Sequence, residues 1–156
     1  MRRSYARSIR GVLVVALALA LHAAPTPAKL VHFKSPSGNI NCIGAAADRF
    51  QPAFVDCVVR KNTWPNLRPK PANCDLDWVA GELSVSKRRV FVGACRGDIG
   101  PLCIDPANPC RTLAYGRFVD LGPIRCVSAA AGITCRYRIA PRAGFRIARE
   151  GYSLYR

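Results

Sequence analysis

Eight cysteines constrain this chain more than any other feature: Cys42, Cys57, Cys74, Cys95, Cys103, Cys110, Cys126 and Cys135, all downstream of an apolar leader. An even set behind such a leader is the pattern of an oxidising compartment, where thiols pair as disulfides. Arg2, Arg3, Arg7 and Arg10 form the charged start of the leader, Val12 to Leu21 is unbroken apolar sequence, and small residues follow at Ala23, Ala24 and Ala28. The apolar run is shorter than the ~20 residues that a membrane span requires. The sequence therefore predicts a secretory signal over 1–24, a short Pro-containing linker over 25–29, and one disulfide-rich domain over 30–156. Cleavage is expected between Ala24 and Lys29, leaving no membrane span and an exported chain, periplasmic or extracellular. No C-x-x-C occurs and His32 is the one histidine outside the leader, so neither a zinc ligand set nor a dithiol redox motif is expected, and no metal or cofactor.

The rest of the chain reads as short strands. Lys29 to Lys34 alternates apolar and polar residues and suits an edge strand; Ser35-Pro36-Ser37-Gly38-Asn39 is turn chemistry, because Pro presets φ and Gly or Asn tolerates positive φ. Ile40 to Ile43 and Phe54 to Arg60 carry Cys42 and Cys57, close enough in sequence to staple two strands. Ala45 to Gln51 is expected as a helical turn or an irregular loop. The prolines of 62–73 make a crossing loop with Trp64 capping the core. Asp75 to Cys95 reads as a hairpin: Glu82 to Ser86 alternates, Lys87-Arg88 turns and Val90 to Val92 returns, with Cys74 and Cys95 flanking it and placed to close its open end. Cys103 and Cys110 pin the Pro-rich loop that follows. Thr112 to Tyr115 and Arg117 to Leu121 are short strands. Ile124 to Ser128 pairs with Ile133 to Tyr137; with Ser128 opposite Ile133, Cys126 faces Cys135 at a distance a disulfide can bridge. Phe145 to Ile147 with Tyr152 to Leu154 is the last hairpin. The expected fold class is mainly β: a small antiparallel domain, sandwich or barrel-like, of short hairpins stapled by disulfides.

Charge directs attention to anionic partners. Of the 24 Lys and Arg, four lie in the leader, and the remaining 20 against 9 Asp and Glu leave the exported chain at +11. Such a balance favours an anionic envelope polymer or an acidic protein. Strand alternation puts Ile124, Cys126, Ile133, Cys135 and Tyr137 on one face and Arg125, Arg136 and Arg138 on the other. Arg146 falls between Phe145 and Ile147 and extends that stripe, whose guanidinium forks match carboxylate and phosphate geometry. No nucleic-acid motif is present, and nucleic acid is not the expected partner. Catalysis has little to draw on: His32 alone could act as a base, and the cysteines are committed to bridges. Carboxylates for an acid-only site could come from Asp75, Asp77, Glu82, Asp98 and Asp105.

At F-K-S-P-S-G-N-I-N-C, Phe33 to Cys42, the sequence resembles a family of small exported bacterial proteins of unknown function. Members carry F-x-S-P-S-G-N-I-x-C, then C-x-G-D, L-x-Y-G, I-x-C-x-S-x-x-x-G-x-T-C and G-F-x-I/L-x-R. Here these are Cys95-Arg96-Gly97-Asp98, Leu113-Ala114-Tyr115-Gly116, Ile124 to Cys135, and Gly144 to Arg149. The chain departs from that pattern with Ala-Pro-Arg-Ala before Gly144, where a Gly-His pair often precedes the Phe, and Cys103 with Cys110 looks like an additional pair. The resemblance implies an exported, cysteine-paired domain and brings no activity or ligand with it.

Together these features predict a monomeric exported binding or envelope-interaction module. A small secreted hydrolase without histidine is the alternative from another class. A secreted enzyme inhibitor inserting the Asp105 to Cys110 loop is a third reading.

Overall fold

The computed structural model describes residues 27–156 apart from 99, 107–108 and 140–141; the predicted signal lies outside the described residues. Those residues form eleven strands and no helix. The first sheet contains β1 (Val31–Lys34), β2 (Ile40–Ala45), β3 (Phe54–Val59), β4 (Asp77–Ser86), β5 (Arg89–Arg96) and β6 (Arg111–Thr112), in the order β5-β4-β3-β2-β1-β6. The second is a meander of β7 (Phe118–Leu121), β8 (Ile124–Ala129), β9 (Gly132–Tyr137), β10 (Gly144–Ile147) and β11 (Tyr152–Tyr155).

Period-two alternation makes the sandwich. Phe33, Cys42, Val55, Cys57, Leu83 and Val85 point inward from the first sheet. Ile124, Cys126, Ile133, Cys135, Phe145 and Ile147 meet them from the second, and all twelve belong to one buried cluster. Successive side chains on a strand face opposite ways, so burying one set commits the other to the outside. Trp64 closes one border of the core: its indole N–H donates to Ala148 O at 2.9 Å, and its ring centroid lies 4.9 Å from that of Tyr152.

Four disulfides staple this arrangement. Cys42–Cys57 joins β2 to β3 and Cys126–Cys135 joins β8 to β9, each between directly opposed residues with Cα atoms 4.1 and 4.0 Å apart. Cys74–Cys95 closes the open end of the β4–β5 hairpin, and Cys103–Cys110 pins the loop before β6.

One expectation changes and two others take their final form. β1 is not an edge: β6 pairs with it in parallel, Phe33 opposite Arg111 and Lys34 opposite Thr112. The β4–β5 hairpin runs out to Asp77 opposite Arg96, close to the expected Asp75 to Cys95 span. Of the two readings of the segment after β2, the irregular loop holds: residues 46–51 form no helical turn, because Asp48 accepts hydrogen bonds from Phe50 N and Gln51 N (both 2.8 Å) and from Ala28 N (2.7 Å). A carboxylate that satisfies three amides in this way fixes a compact turn instead.

Candidate functional site

The register of the second sheet places its outward side chains in two rows. One runs Asp120, Arg125, Arg136, Gly144, Tyr155; the other runs Phe118, Val127, Thr134, Arg146, Ser153. The predicted arginine stripe is therefore brought onto one face, with Arg125 directly opposite Arg136 and Arg146 diagonal to Arg136. Like charges facing each other across strands repel, and the face resolves this at one side. Arg125 donates from Nε and Nη2 to both oxygens of Asp120 (2.8 Å each), and its guanidinium lies 3.9 Å from the Phe118 ring centroid. That hydrogen-bonded fork holds the Asp120 carboxyl below its ordinary range, helped by the charge of Arg138. Arg138 lies just beyond β9, donating to Gly122 O at 2.9 Å.

The other half of the face is different. Arg136 extends across Gly144, whose bare Cα leaves room for it: a Cβ there would run into Arg136 and the Cys135 carbonyl. Its guanidinium reaches the Tyr155 ring, 4.1 Å from the centroid, a cation–π stack. Nε of Arg136 and Nε of Arg146 are both buried without an acceptor. Among the described residues, ion pairs join Arg125 to Asp120 and Arg96 to Asp56, Glu82 and Asp98, so neither Arg136 nor Arg146 has a carboxylate partner.

The acids sort differently from the stripe. Glu82 and Asp98 come together around Arg96, with Asp56 added from β3. Arg96 Nε donates to Glu82 Oε1 (2.9 Å) and Oε2 (2.7 Å), its Nη2 to Glu82 and to Asp56 Oδ2 (3.1 Å), and its Nη1 to Asp98 Oδ1 (3.3 Å). Glu82 is fully buried, and burial pushes both its carboxyl and that of Asp56 above the ordinary range, outweighing the opposing pull of Arg96. The guanidinium itself is raised by its hydrogen bond to Glu82. Of these two directions on one pair, the carboxylate shift decides the local energetics, because two poorly hydrated acids and Asp98 share a single cation. Gly100 lies against the stem of Arg96 and Pro101 is buried, so the cluster underpins the following loop. Asp75, just before β4, and Asp77, its first residue, are both exposed and stand outside the cluster. His32 sits in β1 opposite Ile43. The Cys103–Cys110 loop is anchored at its base: with its amide oriented to suit both neighbours, Asn41 accepts from Cys103 N and donates to Gly38 O (3.2 Å each).

Sequence reasoning missed the partners more than the arginines. Phe118 and Asp120 come from β7, Gly144 from β10 and Tyr155 from β11, and only the pairing register reveals that they share a face with the arginines. Asp56 reads as an ordinary polar position in a β-branched strand.

Fold and sites define a class: a disulfide-stapled β-sandwich suited to an oxidising, non-cytoplasmic environment. Within it, this chain belongs to a family of unknown function (DUF6636), whose profile matches residues 12–155. No curated protein and no solved structure matches it significantly.

Proposed function

We propose that this is an exported binding module that holds an anionic envelope polymer on the outer face of its second sheet. The carrying observation is the pair Arg136 and Arg146: half-buried residues at diagonal positions on adjacent strands, each with a buried Nε that meets no acceptor and, among the described residues, with no carboxylate partner. A cation that has lost part of its hydration without gaining a counter-ion is destabilised, and an incoming phosphate or carboxylate relieves that cost. The two groups sit on facing strands, so their spacing is fixed by the sheet. The Tyr155 ring supports the Arg136 guanidinium from one side. A polymer with regularly spaced anions could engage both together. Arg125 plays a lesser part because Asp120 already occupies its fork.

The test is affinity for soluble poly(glycerol phosphate), measured by calorimetry at low and moderate salt on oxidised protein. Arg136→Gln with Arg146→Gln should weaken binding by tenfold or more, as expected when charge-assisted hydrogen bonds are lost. Arg125→Gln should weaken it by much less. Equal losses from both variants, or binding by all variants that modest salt abolishes alike, would reduce the face to a diffuse positive field.

A further inference from the structure

At the end of the sandwich where the β8–β9 hairpin turns, the two sheets part into a cleft of about 600 Å³. Arg60, Lys61 and Arg149 line it, with Tyr115 and one carboxylate, Glu150. Among the described residues, none of these three cations is in an ion pair. Their backbones are fixed. The Asn39 side chain accepts from Lys61 N and donates to Lys61 O, both at 2.9 Å, while Asn39 O accepts from Arg60 N at 2.8 Å. Arg149 O accepts from Thr63 N at 2.9 Å. Tyr115 stands on a tight turn closed by Arg117 N to Ala114 O, with Gly116 at φ 75° donating to Ser128 O. The residue is left 54% exposed, and no ring or guanidinium stacks on it among the described residues.

We infer that this cleft is a second binding site, separate from the arginine face, for a saccharide unit that carries a carboxylate or a phosphate. The pyranose ring lies against Tyr115, and the acidic group lies among Arg60, Lys61 and Arg149. A concave shape, an aromatic platform and a few charged groups that fix orientation are common to small-ligand sites, and the polar walls here suit a hydroxyl-rich ligand over an apolar one. A run of single-stranded nucleic acid would call for several stacking rings. A nucleotide phosphate would favour a glycine-rich cradle or a helix N-terminus, and no helix occurs among the described residues.

The experiment is a calorimetric titration of oxidised protein with four probes: tetragalacturonate, glucose 6-phosphate, uncharged maltotetraose and AMP. At least one of the two acidic sugars should bind, and maltotetraose should not. Arg149→Gln should weaken that binding about tenfold, as loss of a charge-assisted hydrogen bond would. Tyr115→Ala should weaken it several-fold. Arg89→Gln, which removes the same charge at the β4–β5 turn, should leave it unchanged. Amide shifts of the unmutated protein on titration should centre on Arg60, Lys61 and Ala130, a readout that needs no variant to fold. Failure of both acidic sugars, binding of maltotetraose equal to theirs, tighter binding of AMP, or unaltered affinity in Arg149→Gln and Tyr115→Ala would each overturn the inference.

Discussion

Arg96 is the residue on which the first sheet most depends electrostatically, because one guanidinium serves Glu82, Asp56 and Asp98. Removing one partner of a buried pair leaves the other charge unsolvated, at about 3–5 kcal/mol. Arg96→Met should lower stability by that order in urea denaturation, and adding Glu82→Gln should restore part of it; a loss as small as that of a surface substitution would contradict the reading. Protonation follows from the same burial. With native values raised above the unfolded ones, the stability contributed by Asp56 and Glu82 is complete below the unfolded carboxylate range and is lost as pH rises through their native values. Asp48 and Asp120 shift the other way, but both are at the surface and screened by solvent. Acidification also increases repulsion across a basic protein, so the informative quantity is the stability of wild type minus that of Glu82→Gln. That difference should grow as pH falls from about 7 toward about 4.5, across the carboxylate range. A difference that is constant or shrinks would refute the shift.

The β4–β5 hairpin turns through Lys87 and Arg88, which both adopt positive φ, 49° and 58°. This is the geometry of the two-residue turn that favours Asn-Gly, and residues with a Cβ are strained in it. Lys87→Asn with Arg88→Gly should stabilise the protein by about 1–2 kcal/mol, seen as a higher urea midpoint with an unchanged slope. An unchanged or lower midpoint would count against the strain. The turn position was legible in the sequence from the alternation on either side, although its residues gave no turn signal. Its extension to Asp77 and Arg96 was legible too, because Cys74 and Cys95 flank the hairpin and their bridge holds the open end together. The β8–β9 register was fully legible, since Cys126 and Cys135 leave one pairing that also buries Ile124 and Ile133. The cover over β1 was not: two residues of β6, arriving in parallel from far along the chain, carry no periodicity to detect.

For the whole molecule, the disulfides outweigh any single contact. Each contributes roughly 2–4 kcal/mol, the short loops at the lower end, against a net stability of ~5–15 kcal/mol for an ordinary domain. Reduction should unfold or loosen the sandwich, and a reduced sample with an unchanged melting temperature would contradict this. Strand alternation was enough to place Arg125, Arg136 and Arg146 on the outside. It could not show which of them is neutralised, because Asp120, Gly144 and Tyr155 reach the face through register alone. The cleft was least legible, being assembled from turns whose separate chemistry says only that the chain reverses. The most direct measurement is amide chemical-shift mapping of the oxidised protein during titration with poly(glycerol phosphate). Binding on the second sheet predicts that the largest shifts fall on β9, β10 and β11 around Thr134, Arg136, Arg146 and Tyr155. Shifts centred elsewhere, or spread evenly over every exposed cation, would contradict it.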